Sequence, residues 1–183
     1  MTRKGSNEQD IQMDAQQIID LVNYHHWATE RVWQLASALS DAQYYQPHIY
    51  SVGGVHQQFV HMMKTDIWAL TYVHRDATLP EINDGTFTER HAMRAVWHQV
   101  EAEEKRYWSN RSAHDPNMPV QFPLQGGTLE LTLWHHLLCG MNHGVNHRAQ
   151  ILRLLADYGI QTDEQGYFFY RIDLANKETA DKR

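Results

Sequence analysis

A chain of 183 residues, 42% hydrophobic and 21% charged, has the make-up of one soluble globular domain with its own core. Its formal net charge of −6 argues against nucleic acid as the main partner, and no apolar run approaches the ~20 residues that cross a bilayer. The single cysteine, Cys139, excludes an internal disulfide framework; with an amino terminus that lacks a signal-peptide pattern, it leads to the expectation of a cytoplasmic protein.

Residues 1–10 are polar and are expected to form a flexible tail, with a single domain over residues 11–170 and a polar tail over 171–183. The first helical pattern runs from Ile11 to Leu39 through Ile18, Leu21, Val22, Trp27, Val32 and Leu35, and Pro47 follows its end. A second begins after Ser51, a candidate N-cap, and continues to His74 through Phe59, Met62, Met63 and Ile67. Pro80 and Gly85 mark a connection, after which Thr86 and Glu89 have the spacing of a capping box for a third helix ending near Trp108. Residues 109–127 hold three prolines and two adjacent glycines, so the longest break falls here, with room for a short strand or hairpin between Val120 and Gly127. Thr128 is the candidate cap of the fourth helix, and Gly159 its left-handed terminator. Four such patterns with one long irregular connection predict an all-α four-helix bundle, whose metal sites lie between facing helices.

Thirteen histidines stand out. His143 and His147 are four residues apart, so on a helix they lie one above the other on one face and can approach a single ion together. A third ligand must come from another helix. His56 and His61 are candidates, but five residues turn a helix by about 500°, so the two diverge by roughly 140° and only one of them would serve. A core histidine satisfied by a carbonyl is the alternative reading of His61. The doublets His25-His26 and His135-His136 are read as surface or interface residues, since neighbours about 100° apart cannot both face one core ion. His48, His74, His91, His98 and His114 sit in or near polar stretches and are read as solvated. Glu-x-x-His, His-Glu-x-x-His, phosphate-binding glycine loops and Gly-x-Ser-x-Gly are all missing.

Three stretches carry a family resemblance: Asn23 to Arg31 with its Tyr-His-His-Trp-Ala core, Ser51 to Trp68, and Trp134 to Gln150 with Asn142-His143 and His147-Arg148. Together they resemble the DinB / YfiT-like family of metal-binding four-helix bundles over roughly residues 12–160. The resemblance implies that one histidine of the second helix and two of the fourth bind a divalent metal, which carries over to His61, His143 and His147. Cys139, Asn146 and Ala149 depart from the family pattern without removing a ligand; Cys139, one turn before His143, is a packed thiol or a further approach to the metal.

Three imidazoles leave open coordination positions, as catalytic sites do. Zinc fits the donor set best, and nickel and iron also accept imidazole. The ion would act as a Lewis acid, acidifying a bound water or holding a thiol as thiolate. The resemblance implies a metal-dependent thiol S-transferase with a low-molecular-weight thiol as co-substrate and a small-molecule substrate. A metal-dependent hydrolase and a non-catalytic metal-binding stress protein are the alternatives. No catalytic side chain is assigned, and a homodimer is expected. The aromatic segment Tyr167 to Tyr170 is expected to pack on its own chain.

Overall fold

Asp14 opens the first helix in the computed structural model, which describes residues 13–73, 79–80, 82, 87–110 and 115–180. Its carboxylate accepts from the Gln17 backbone N–H at 2.8 Å while the Gln17 side chain accepts from the Asp14 N–H at 3.0 Å. This capping box fixes the start of α1 (Ala15–Ala36). A single-turn helix, α2 (Asp41–Tyr44), follows with a second capping box at Ser40 and Gln43.

Helix α3 (Val55–Val73) begins later than a cap at Ser51 would have it. Ser51 is in the left-handed region (φ 56°) and Gly53 has φ 122°, so the chain turns here before entering the helix. Gly54 makes the approach possible: a Cβ on it would fall 2.2 Å from the Gln46 carbonyl oxygen. Helix α4 (Arg90–Ser109) has Glu89 at its N-cap with no side-chain cap bond, so Glu89 does not play the third-residue role expected of it; Thr86 lies outside the described residues.

The long connection is structured. A 3₁₀ turn (Asp115–Asn117) leads into an antiparallel ribbon of β1 (Pro119–Leu124) and β2 (Gly127–Thr132), with Phe122 opposite Leu129. Both strands of a two-stranded ribbon are edges, which is why Pro119 and Pro123 fit within β1. Thr128 therefore sits in a strand and caps nothing; Thr132 is the N-cap of α5 (Leu133–Asp157). The Leu133 N–H bonds back to the Met118 carbonyl at 3.0 Å, tying the helix start to the ribbon. Gly159 (φ 79°) ends α5 as expected, with Gly159 N–H to Ala156 O and Ile160 N–H to Leu155 O, a Schellman motif.

Beyond Tyr170 the chain does not become a polar tail. Helix α6 (Tyr167–Ala180) continues through Ala180; Trp27 Nε1 donates to Asp173 at 3.0 Å, and Leu174 packs beside Tyr24, Ala28, Met141 and Tyr170. Tyr167 and Tyr170 both donate to Asp20, so the tyrosines of the aromatic segment pack on their own chain, while Phe168 and Phe169 are exposed.

The chain is predominantly helical. Each long helix packs on two others, in the order α1, α4, α3, α5 and back to α1. Val32, Phe59, Met62, Met63, Met93, Trp97, Ile151 and Leu155 form the main core, to which all four contribute. Full burial of such side chains contributes about 1.5–3 kcal/mol each, which is what holds α3 and α5 in fixed relation. Among the described residues, no helix is long and apolar enough to cross a membrane.

Candidate metal centre

His143 and His147 stack along one face of α5, ring centroids 4.3 Å apart, as their spacing requires. His61 reaches them from α3, with centroids 4.9 Å from His143 and 4.6 Å from His147. Its Nε2 lies 2.9 Å from His143 Nε2, and one ring nitrogen from each of the three lies within 4.8 Å of the others. Imidazole nitrogens at the usual ~2.0–2.1 Å from a tetrahedral zinc stand about 3.3 Å apart, so the donor set fits a single first-row divalent ion. Among the described residues no other group of histidine, cysteine or carboxylate side chains converges this closely.

Gln58 decides which nitrogen of His147 faces the cluster. Its amide is fully buried, and its Nε2 donates to the Gly53 carbonyl (3.2 Å) and to Gln150 Oε1 (2.9 Å). Its Oε1 is thereby left as the acceptor for His147 Nδ1, 2.5 Å away. The His147 proton is held on Nδ1, and the Nε2 lone pair turns toward the other two rings. Burial, with His143 and His61 adding to it, pushes His147 down to about 4. His143 is lowered mainly by burial and by His61, against an opposing pull from Asp66. Both are neutral at physiological pH, the state a metal ligand requires.

His56 faces elsewhere. Its ring lies between Tyr44 and Tyr45, at 5.5 and 4.8 Å, as the divergence of the two positions on one helix demands. Cys139 is exposed and not among the converging groups, so neither a packed thiol nor an approach to the cluster describes it. Leu138 and Val145, exposed on the same helix, show how much of that face of α5 meets solvent.

The doublet His25-His26 corrects the surface reading. Both side chains are buried, because α4 packs on α1 and provides Glu104, which pairs with His26 Nε2 at 2.7 Å. His25 lies against α5: a Cβ on Gly144 would fall 2.4 Å from His25 Cε1, so only glycine fits beside His143. Arg148, completely buried, directs Nη1 at His25 Nδ1 (3.2 Å) and Thr29 (3.3 Å), and Nε at Gln165 (2.7 Å). Arginine only donates, so Nδ1 of His25 accepts and its proton sits on Nε2, facing Asp66 Oδ1 at 3.8 Å. Of the second doublet, His135 is exposed as read, while His136 is buried under a stacked Phe122 from the ribbon. His48, His91 and His98 are exposed; His74 and His114 lie outside the described residues.

Gln58, His25 and Asp66 are the site's neighbours that spacing did not single out. Gln58 had a readable signal, since it precedes His61 by three positions and shares its side of the helix. Asp66 had none: it accepts from Trp97 Nε1 at 2.9 Å across the interface with α4.

A helical chain with three imidazoles converging between two helices defines the class. The sequence model of the DinB family matches residues 7–178, and the chain belongs to the DinB family. A search of curated proteins found no match.

Proposed function

We propose that the chain is a metal-dependent enzyme that holds one divalent ion, zinc by preference, through His61, His143 and His147, and that it catalyses S-transfer from a low-molecular-weight thiol. The reading rests on one observation above all: three ring nitrogens within 4.8 Å, contributed by two packed helices. A bound divalent ion supplies Lewis acidity, which favours the thiolate form of a thiol at neutral pH.

The chain's own residues do the positioning. Gln58 fixes the His147 ring, and Gly144 lets His25 lie against the turn that carries His143. The thiol sulfur forms its bond to the electrophilic carbon as the leaving group departs with the bonding pair, and the thiol proton passes to solvent. The same reading makes the four long helices a bundle and the chain a cytoplasmic homodimer. Exposed Ile49, Tyr50, Phe168 and Phe169 supply apolar surface for a partner copy.

Metal-loaded protein incubated with an alkylating electrophile and a panel of small thiols should form thioether faster than the uncatalysed reaction, and His61→Ala should abolish the difference. Product formed without any thiol would move the assignment to hydrolysis. No product with any thiol would contradict it and leave a binding protein.

A further inference from the structure

A narrow cavity of about 40 Å³ lies beside the histidine trio, lined from all four long helices. That volume admits roughly three water-sized groups. It lies close to the trio without being lined by it: His25 and Asp66 line it and also act electrostatically on His143, and Gly140 in its wall precedes His143 by one turn on the same helix. Leu70, Trp108, Leu133 and Leu137 make most of the wall apolar.

Apart from the His25 ring and the Tyr107 hydroxyl, the polar side chains of this wall are acceptors. Asp66 and Glu104 contribute carboxylates, and no lysine or arginine lines the cavity. His136 adds a third acceptor: it bonds to the Ala69 carbonyl, which a ring can do only by donating, and its Nε2 has no hydrogen-bond partner. Its side chain is only 8% exposed, so a lone pair is buried unsatisfied, at a typical cost of about 1–3 kcal/mol. Gly140 is a second local sacrifice, since glycine inside a helix costs about 0.5–1 kcal/mol relative to alanine. Nothing crowds that position; a Cβ there would meet no atom within 4 Å. The acceptors are not gathered tightly enough to hold a bare ion, because among the described residues only the histidine trio converges within 4.8 Å.

We propose that this cavity binds the ammonium head and short alkyl stem of a primary amine, and that the substrate of the adjoining centre carries such a group. An ammonium donates three hydrogen bonds and brings the positive charge the wall lacks. The first half of the proposal stands on the cavity alone; calling the amine a substrate rests on the metal-centre reading above.

The test titrates the full-length protein with n-propylammonium, using 1-propanol and propionate as neutral and anionic shapes, and follows tryptophan fluorescence, since Trp108 lines the cavity. The ammonium should saturate the signal with a Kd at least tenfold below that of 1-propanol. Gly140→Leu should weaken ammonium binding at least tenfold with metal content retained. Glu104→Gln, which keeps a hydrogen bond to His26, should weaken it similarly and carries the test if Gly140→Leu does not fold. His147→Ala should leave ammonium binding intact. Equal binding of 1-propanol, wild-type affinity in both cavity variants, or loss of binding in His147→Ala would each overturn the proposal. Metal content is read separately, so failure of the metal centre and failure of the cavity give different results.

Discussion

Where α3 meets α5, His61, His143 and His147 face one another; where α1 meets α4, His26 faces Glu104 and Arg94 faces Glu30 and Glu101. Both regions bury polar side chains at a helix interface. In the second, His26 Nε2 and both terminal nitrogens of Arg94 meet carboxylates, although His26 Nδ1 and Arg94 Nε find no hydrogen-bond partner among the described residues. In the first, ring nitrogens meet ring nitrogens, and the three converging side chains include no carboxylate. Like-with-like convergence of ring nitrogens is what a metal site needs, whereas complementary pairing is what a helix contact needs. The contrast separates candidate ligands from structural histidines more sharply than exposure does, since His147 and His26 are both buried.

The largest effect that sharpens this comparison is on stability. Arg94→Ala leaves buried Glu101 with only the exposed His98 ring beside it, at 3.2 Å, and should cost about 3 kcal/mol in urea unfolding while metal content per folded chain is unchanged. Metal loss in that variant would blur the division between the two regions. Next, Gln58→Ala removes the acceptor that orients His147, and should weaken metal affinity about 10–100-fold in chelator competition, the range for an outer-shell partner. An unchanged affinity would mean that the ring needs no such hold.

A smaller effect concerns pH. Burial lowers His56, His136, His143 and His147 from the ordinary 6.5, His147 to about 4. Between these values the unfolded chain takes up protons that the native chain refuses. The metal-free protein should thus be at full stability above pH 6.5 and lose stability as pH falls toward 4. Its urea midpoint should be lower at pH 5 than at pH 7.5; identical midpoints would show that these rings are not held neutral by the fold.

The His143/His147 pair and the four long helices were legible in the sequence because both depend on spacing along one helix, whereas the choice of His61 over His56 came from the family resemblance. The four-residue interval of His143 and His147 fixes a shared face, and the five-residue interval of His56 and His61 fixes divergent ones. Element ends were less legible. Ser51 and Thr128 have cap chemistry, but the tight approach at Gly54 and the strand pairing of residues 127–132 override it. Alternating Leu129 and Leu131 carried the period of a strand, in a stretch short enough to be read as a helix start. The burial of His25 and His26 depends on Arg148 and Glu104, 123 and 78 residues away, which no local pattern reports. Helix α6 likewise owes its place to Trp27 and Asp20 at the far end of the chain.

On the proposed function, the three converging imidazoles are the ligands of one ion. Elemental analysis of purified wild type, His147→Ala and His25→Ala tests it most directly. About one divalent ion per chain is predicted for wild type and His25→Ala, with little or none for His147→Ala. Equal metal in wild type and His147→Ala would contradict the account.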